Sequence, residues 1–182
     1  RIDNHFKLVS CSNLIPVKRI DLILESLKFL ENSSWEWIVI GDGPQREHIE
    51  ENISFLPSSS SIRMVGRLPN KDIYHLYEKE KPDLFINLSS SEGIPVSIME
   101  AMSFGIPIIA TDVGGTRELV NNDNGILLEA NPKPRDVAKK INDFISLNQS
   151  EKKYKRQAAF ETFNQNYNAK NNYREFVNQI YD

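Results

Sequence analysis

Short, almost wholly apolar runs alternate along this chain with longer stretches whose apolar residues recur at helical spacing. The runs fall at residues 6–12, 36–41, 62–65, 84–88, 106–111 and 125–129. The middle four hold few polar residues, as strands covered on both faces do. Between them, residues 18–30 set Ile20, Ile23, Leu24, Leu27 and Leu30 on one stripe, and residues 70–79 do so with Ile73, Leu76 and Tyr77. Asn70 and Asp72 suit the start of that second helix, and Lys81-Pro82 its end. After residue 132 the pattern is helical only, over 134–147, 150–166 and 169–181. The last of these carries Tyr173, Phe176, Val177 and Ile180 on its apolar stripe. Strands alternating with helices across short turns predict an α/β fold: a Rossmann-like parallel sheet of about six strands, helices on both faces and extra C-terminal helices.

A length of 182 residues, 40% of them hydrophobic, suits a single domain with a substantial core, the segment 133–182 forming a helical tail. The net charge of −3 advertises neither nucleic acid nor an anionic membrane as partner. Cys11, the lone cysteine, excludes an internal disulfide and a cysteine-rich zinc site, and favours a reducing, cytoplasmic setting. No apolar run approaches the roughly 20 residues of a membrane span. The chain opens on Arg1 rather than Met and is expected to be a piece of a longer protein.

The chemistry concentrates in the run Ser89-Ser90-Ser91-Glu92-Gly93-Ile94-Pro95-Val96-Ser97-Ile98-Met99-Glu100-Ala101-Met102, closed by Gly105 and Pro107. It lies between two apolar strands, so the polar turn and the helix start fall at the carboxyl edge of the sheet, where anions bind. Pro95 suits the first helical turn and Gly105 the C′ position, predicting a helix over 94–104. The amides near Gly93, Ile94 and Val96 are candidate phosphate donors. Gly93 permits close approach of a ligand to backbone. A lone helical glutamate such as Glu100 would be expected to face solvent. Its largely apolar neighbours and its spacing from Glu92 favour a partly buried carboxylate that needs donors, and a ribose offers two hydroxyls.

Four further turns follow strands. In Ser12-Asn13-Leu14-Ile15-Pro16-Val17-Lys18-Arg19, two cations sit where a helix dipole disfavours them by about 0.3–1 kcal/mol. A bound phosphate would reverse that sign, making Lys18 a natural diphosphate partner, with Arg19 expected to point to water. Gly41-Asp42-Gly43-Pro44 permits a tight turn into a helix. The turn Val65-Gly66-Arg67-Leu68-Pro69 could grip a flat base edge, and Asp112-Val113-Gly114-Gly115-Thr116-Arg117-Glu118 offers a glycine pair with exposed amides. Their convergence on one sheet edge is stronger evidence than any one of them. His5, His48 and His75 lack metal-ligand spacing. No nucleophile elbow, no phosphate loop ending in Gly-Lys-Ser/Thr and no Gly-x-Gly-x-x-Gly fingerprint is present. Trp35 and Trp37 are expected to pack in the core and at its rim.

In their order, these elements resemble the C-terminal, nucleotide-sugar-binding domain of the family 4 retaining glycosyltransferases, which have the two-domain GT-B architecture. The Glu92-to-Glu100 run, with Ala101-Met102 and Gly105-Ile106-Pro107 after it, carries most of the resemblance. The resemblance implies transfer of a hexosyl group from a nucleotide-sugar, of UDP or GDP type, to an acceptor hydroxyl with retention and no required metal or other cofactor. Glu92 would lie near the donor sugar as the catalytic residue and Glu100 would hold the ribose. Lys18 and the amides of Gly93, Ile94 and Val96 would bind the diphosphate, the turn Gly66-Arg67-Leu68 would hold the base, and Asn13 and Gly43 would also belong to the donor site. Many members carry Arg where this chain has Asn13, usually as a second diphosphate cation; either phosphate affinity is lower or Arg19 compensates.

The glycan or lipid-linked acceptor of polysaccharide biosynthesis would be held by an N-terminal domain outside these 182 residues. The chain alone is therefore expected to bind donor without useful transfer. Two alternatives stand beside this reading: a GT-B sugar-nucleotide epimerase or phosphorylase, and a non-catalytic nucleotide-binding module.

Overall fold

The computed structural model describes residues 5–31, 34–52 and 60–168. Among them lie the strands β1 (Phe6–Cys11), β2 (Trp35–Ile40), β3 (Ser60–Gly66), β4 (Leu84–Asn87), β5 (Ile108–Thr111) and β6 (Gly125–Leu128). All pair in parallel, in the order β3-β2-β1-β4-β5-β6. The chain winds outward from β1 in one direction and from β4 in the other, so a crevice opens outside the carboxyl ends of these neighbours.

Successive side chains of a strand point to opposite faces, and two apolar layers result. One packs Leu8, Trp37 and Ile86 against α1 (Ile20–Leu27), α2 (Arg46–Asn52) and α6 (Pro134–Ile145). The other packs Val9, Ile38 and Phe85 against α3 (Asn70–Glu80), α4 (Val96–Ser103) and α7 (Gln149–Asn166). A short α5 (Thr116–Leu119) buries Leu119 in the second layer. Helices therefore cover both faces, as the alternating pattern predicts.

The differences are local. β3 is an edge strand and only partly buried, so its apolar run does not mark a strand covered on both faces. Trp35 and Trp37 are both buried, two residues apart on one face, and Trp37 Nε1 donates to Ser10 Oγ at 3.0 Å. Neither is a rim residue.

α1 begins at Ile20 rather than residue 18. Pro16–Lys18 forms a separate 3-10 turn, and Arg19 then takes a left-handed conformation, φ +47°, that breaks the two apart. α4 begins at Val96 because Pro95, at ψ 103°, is still extended. The expected helix at 169–181 lies outside the described residues.

Candidate functional site

The carboxyl edge holds a cavity of about 460 Å³, of a size that suits a small ligand. Its walls come from the turns after β1, β2 and β3 and from the first turn of α4: Cys11, Ser12, Asn13 and Lys18, then Ile40 and Gly41, then Arg67, Leu68 and Ile73, and finally Ser97. Burial, with the Glu100 carboxylate adding to it, pushes the Cys11 thiol up to about 12. It stays protonated at neutral pH and is a wall rather than a nucleophile.

Lys18 reaches across the β1/β4 crevice. Its Nζ stands 2.7 Å from Glu92 Oε1, and Asn87 Nδ2 donates to the same oxygen at 3.0 Å. The Ser89 hydroxyl is 2.6 Å from that oxygen and 2.6 Å from Asn87 Oδ1. Burial would push the Glu92 carboxyl up, but Lys18, Ser89 and Asn87 together outweigh it and hold it below its ordinary value. All three partners gather on Oε1, leaving Oε2 without a donor among the described residues. Neither Asn87 nor Ser89, although Ser89 opens the run that carries the chemistry, has a role assigned from sequence. Their signal is a change from apolar to polar at the carboxyl end of an otherwise apolar strand.

Glu100 lies three residues beyond Ser97 on the same face of α4. Asn70 Nδ2 and Tyr74 OH, both on α3, donate to its Oε1 at 3.1 and 3.2 Å. Burial raises the Glu100 carboxyl above its ordinary value, and the Tyr74 hydrogen bond only partly opposes it. Among the described residues its Oε2 also has no donor. The two glutamates of one run thus shift in opposite directions, because one faces an ammonium and the other does not.

The walls are tied by main chain. Leu14 N–H donates to Asp42 C=O at 3.0 Å, Gly41 N–H to Gly66 C=O at 2.8 Å, and Ser90 N–H to Val17 C=O at 2.8 Å. Gly41 has φ +135°, and a Cβ there would stand 1.8 Å from Ser12 O. Gly114 is as constrained, with φ +51° and a Cβ position 1.8 Å from Glu92 O. Its neighbour Gly115 donates its amide to Gly93 C=O at 2.8 Å. The glycine pair therefore braces the Glu92 turn from below instead of presenting that amide to a ligand.

Arg19 is likewise committed to the frame, correcting the expectation that it points to water. Its guanidinium donates to Leu88 C=O, to Ser89 C=O at 2.7 Å and to Ala130 C=O at 2.8 Å. It locks the β4 and β6 turns together and cannot supply charge beside Asn13.

Other sequence candidates divide. Gly93 is exposed, and a Cβ there would meet nothing within 4 Å, so the fold does not require glycine and the space above it is open. The amides of Gly93, Ile94 and Val96 donate to no backbone oxygen among the described residues. Asn13, Arg67 and Leu68 line the cavity. Gly43 stands behind it, its amide bonded at 2.8 Å to Asp42 Oδ1. No cluster of His, Cys, Asp and Glu suited to a metal occurs among the described residues. No helix among them is long and apolar enough to cross a membrane.

Residues 1–160 match the family Glycosyl transferases group 1. The chain belongs to that family. It is 28% identical over 148 residues to the GtfA subunit of UDP-N-acetylglucosamine–peptide N-acetylglucosaminyltransferase from Streptococcus agalactiae, covering 77% of this chain and 28% of that protein. It is 31% identical over 124 residues to the O-antigen biosynthesis glycosyltransferase WbnH of Escherichia coli, covering 68% of this chain and 33% of that protein. The chain thus spans about a third or less of the length of these two relatives.

Among solved structures, HepE of Anabaena in complex with UDP superposes with a TM-score of 0.80 at 23% identity, over 97% of this chain and 49% of HepE. The C-terminal domain of the group 1 protein LpcC from Francisella tularensis gives 0.76 at 20% identity, over 90% of this chain and 87% of that domain. These likenesses establish the fold, a GT-B-type Rossmann-like layer.

Proposed function

We propose that this group 1 chain is the donor-binding domain of a retaining glycosyltransferase, the C-terminal half of a two-domain enzyme, and that it takes a UDP-sugar. The observation that carries the reading is the pair Glu92 and Glu100. Each anchors one carboxylate oxygen in the protein and leaves the other without a donor among the described residues, and the space above Gly93, next to Glu92 in the chain, is open. A nucleoside diphosphate sugar supplies what this arrangement lacks. Its ribose hydroxyls donate to Glu100 Oε2. Its diphosphate accepts from Lys18 and from the amides of Gly93, Ile94 and Val96, and the base edge lies on the turn Gly66-Arg67-Leu68.

In transfer, the bond from the anomeric carbon to the diphosphate oxygen breaks, the acceptor hydroxyl oxygen bonds to that carbon on the same face, and the hydroxyl proton passes to the departing diphosphate. Negative charge then builds on the departing diphosphate. Fixed amides and an ammonium already in place lower that barrier without reorganising, which is the larger part of such catalysis. Glu92 Oε2, beside the sugar, faces the positive charge that develops at the anomeric carbon. No metal is needed in this scheme, since Lys18 and the amides carry the phosphate charge. The UDP preference rests on the names of the S. agalactiae relative and the HepE complex. The acceptor, a glycan or a lipid-linked sugar, falls to an N-terminal domain, and the setting is cytoplasmic.

Thermal shift and calorimetry of the chain against UDP, GDP, ADP, dTDP and their sugars test this. A ligand at a hundred times its Kd stabilises by about 2.7 kcal/mol. Selective binding, lost in Lys18→Ala and Glu100→Ala, is expected. No binding at millimolar ligand, by the chain or by the full-length protein, would overturn the reading.

A further inference from the structure

Among the described residues around the cleft, several cations are already committed. Lys18 is paired with Glu92 at 2.7 Å, and Arg46 with Glu50 at 2.8 Å. Arg117 is paired with Asp112 at 2.6 Å, and Arg19 is held by main-chain carbonyls. Arg67, on the cavity wall and exposed, has no carboxylate partner among the described residues. Its Nη2 makes one long contact, 3.4 Å, to the neutral Oδ1 of Asn13, from the turn after β1. An unpaired guanidinium lightly held on a neutral amide is a cation in waiting: moving it onto an anion loses little and gains a charge-assisted, two-pronged contact.

Its resting place is also telling. Asn13 and Lys18 belong to the same turn and line the same cavity, so Arg67 already stands on the side where Lys18 meets the ligand. Lys18 is paired with Glu92, and its single charge leaves part of a diphosphate's negative charge to the amides and to any further cation. We propose that Arg67 is the second cation of the site, parked on Asn13 Oδ1 in the empty cleft and transferred to a phosphate oxygen when the nucleotide binds. The inference rests on the donor-binding reading above. It changes the job of Arg67 from framing the base to positioning the diphosphate.

The test compares three probes on the 182-residue chain: whichever of UDP, GDP and ADP binds the wild type, its nucleoside alone, and inorganic pyrophosphate. Arg67→Ala is expected to weaken the nucleoside diphosphate and pyrophosphate alike, by about tenfold, and to leave the nucleoside unchanged. Arg67→Lys should keep part of the affinity, and Asn13→Arg in the Arg67→Ala background should restore it. Arg67 is exposed, so an unchanged melting temperature checks that the variants fold. Equal losses for nucleoside and nucleoside diphosphate, or pyrophosphate binding indifferent to Arg67→Ala, would overturn the inference while leaving donor binding intact. A wild type that binds none of the three diphosphates would overturn the donor-binding reading, and this inference with it.

Discussion

Lys18 and Glu92 neutralise one another across the β1/β4 crevice, Nζ to Oε1 at 2.7 Å, with the Glu92 side chain only 9% exposed. The ammonium expected to receive a phosphate is therefore held by a carboxylate until an anion competes for it. Ligand binding becomes an exchange of partners rather than the filling of a vacant charge.

Glu92→Gln should consequently tighten nucleoside diphosphate binding, by about threefold, because a neutral amide holds Lys18 less firmly than a carboxylate does. Calorimetric titration with UDP checks this. A loss of affinity would mean that the carboxylate itself touches the nucleotide.

The opposite shifts of the two glutamates predict a two-part acid profile. Glu92 is depressed, so the stability it contributes is present at neutral pH. That contribution is lost as pH falls from the ordinary carboxylate value of 4.5 through its lower folded value. Glu100 is raised, so its ionisation costs stability at neutral pH and protonation relieves that cost before 4.5 is reached. Urea melts between neutral pH and pH 3 should show Glu100→Gln removing the upper feature and Glu92→Gln the lower one.

Two glycines of the site should respond in opposite ways to one methyl group. Gly114→Ala forces a left-handed alanine onto Glu92 O and should cost more than about 2 kcal/mol, with loss of nucleotide binding. Gly93→Ala should leave stability within about 0.5 kcal/mol of wild type and still impair UDP binding, since the methyl enters the open space. Chemical denaturation and calorimetry on the same samples separate the two.

Arg19→Met keeps the length of the side chain and removes its donors. It should destabilise the chain by about 2 kcal/mol and weaken UDP binding without contacting the nucleotide, because the turn carrying Ser89 and Glu92 loses its clamp. Added salt should not restore either loss. A stability equal to wild type would show that the clamp is not what holds that turn.

Periodicity and turn chemistry reveal most of this fold, since buried strands and striped helices are local patterns. The exceptions are where one residue's backbone decides. Arg19 turns left-handed and Pro95 stays extended, and neither leaves a mark in hydrophobic spacing. The glutamates were legible from their common run, but Asn87 on β4 and Asn70 and Tyr74 on α3, which hydrogen-bond them, come from other elements. Only the folded register of β4 and α3 brings them near. Gly115 read as an open amide because a sequence cannot show that the Gly93 carbonyl lies on top of it.

Beside the Lys18–Glu92 pair and the Arg19 clamp, the turns after β1, β2, β3 and β4 are tied by amide-to-carbonyl bonds in which no side chain takes part. That main-chain part of the frame does not depend on the side chains that line the cavity. Ser97, which lines the cavity and makes none of these main-chain ties, can be exchanged while the walls stay put. The shape of the cleft and the chemistry of its lining can therefore vary separately.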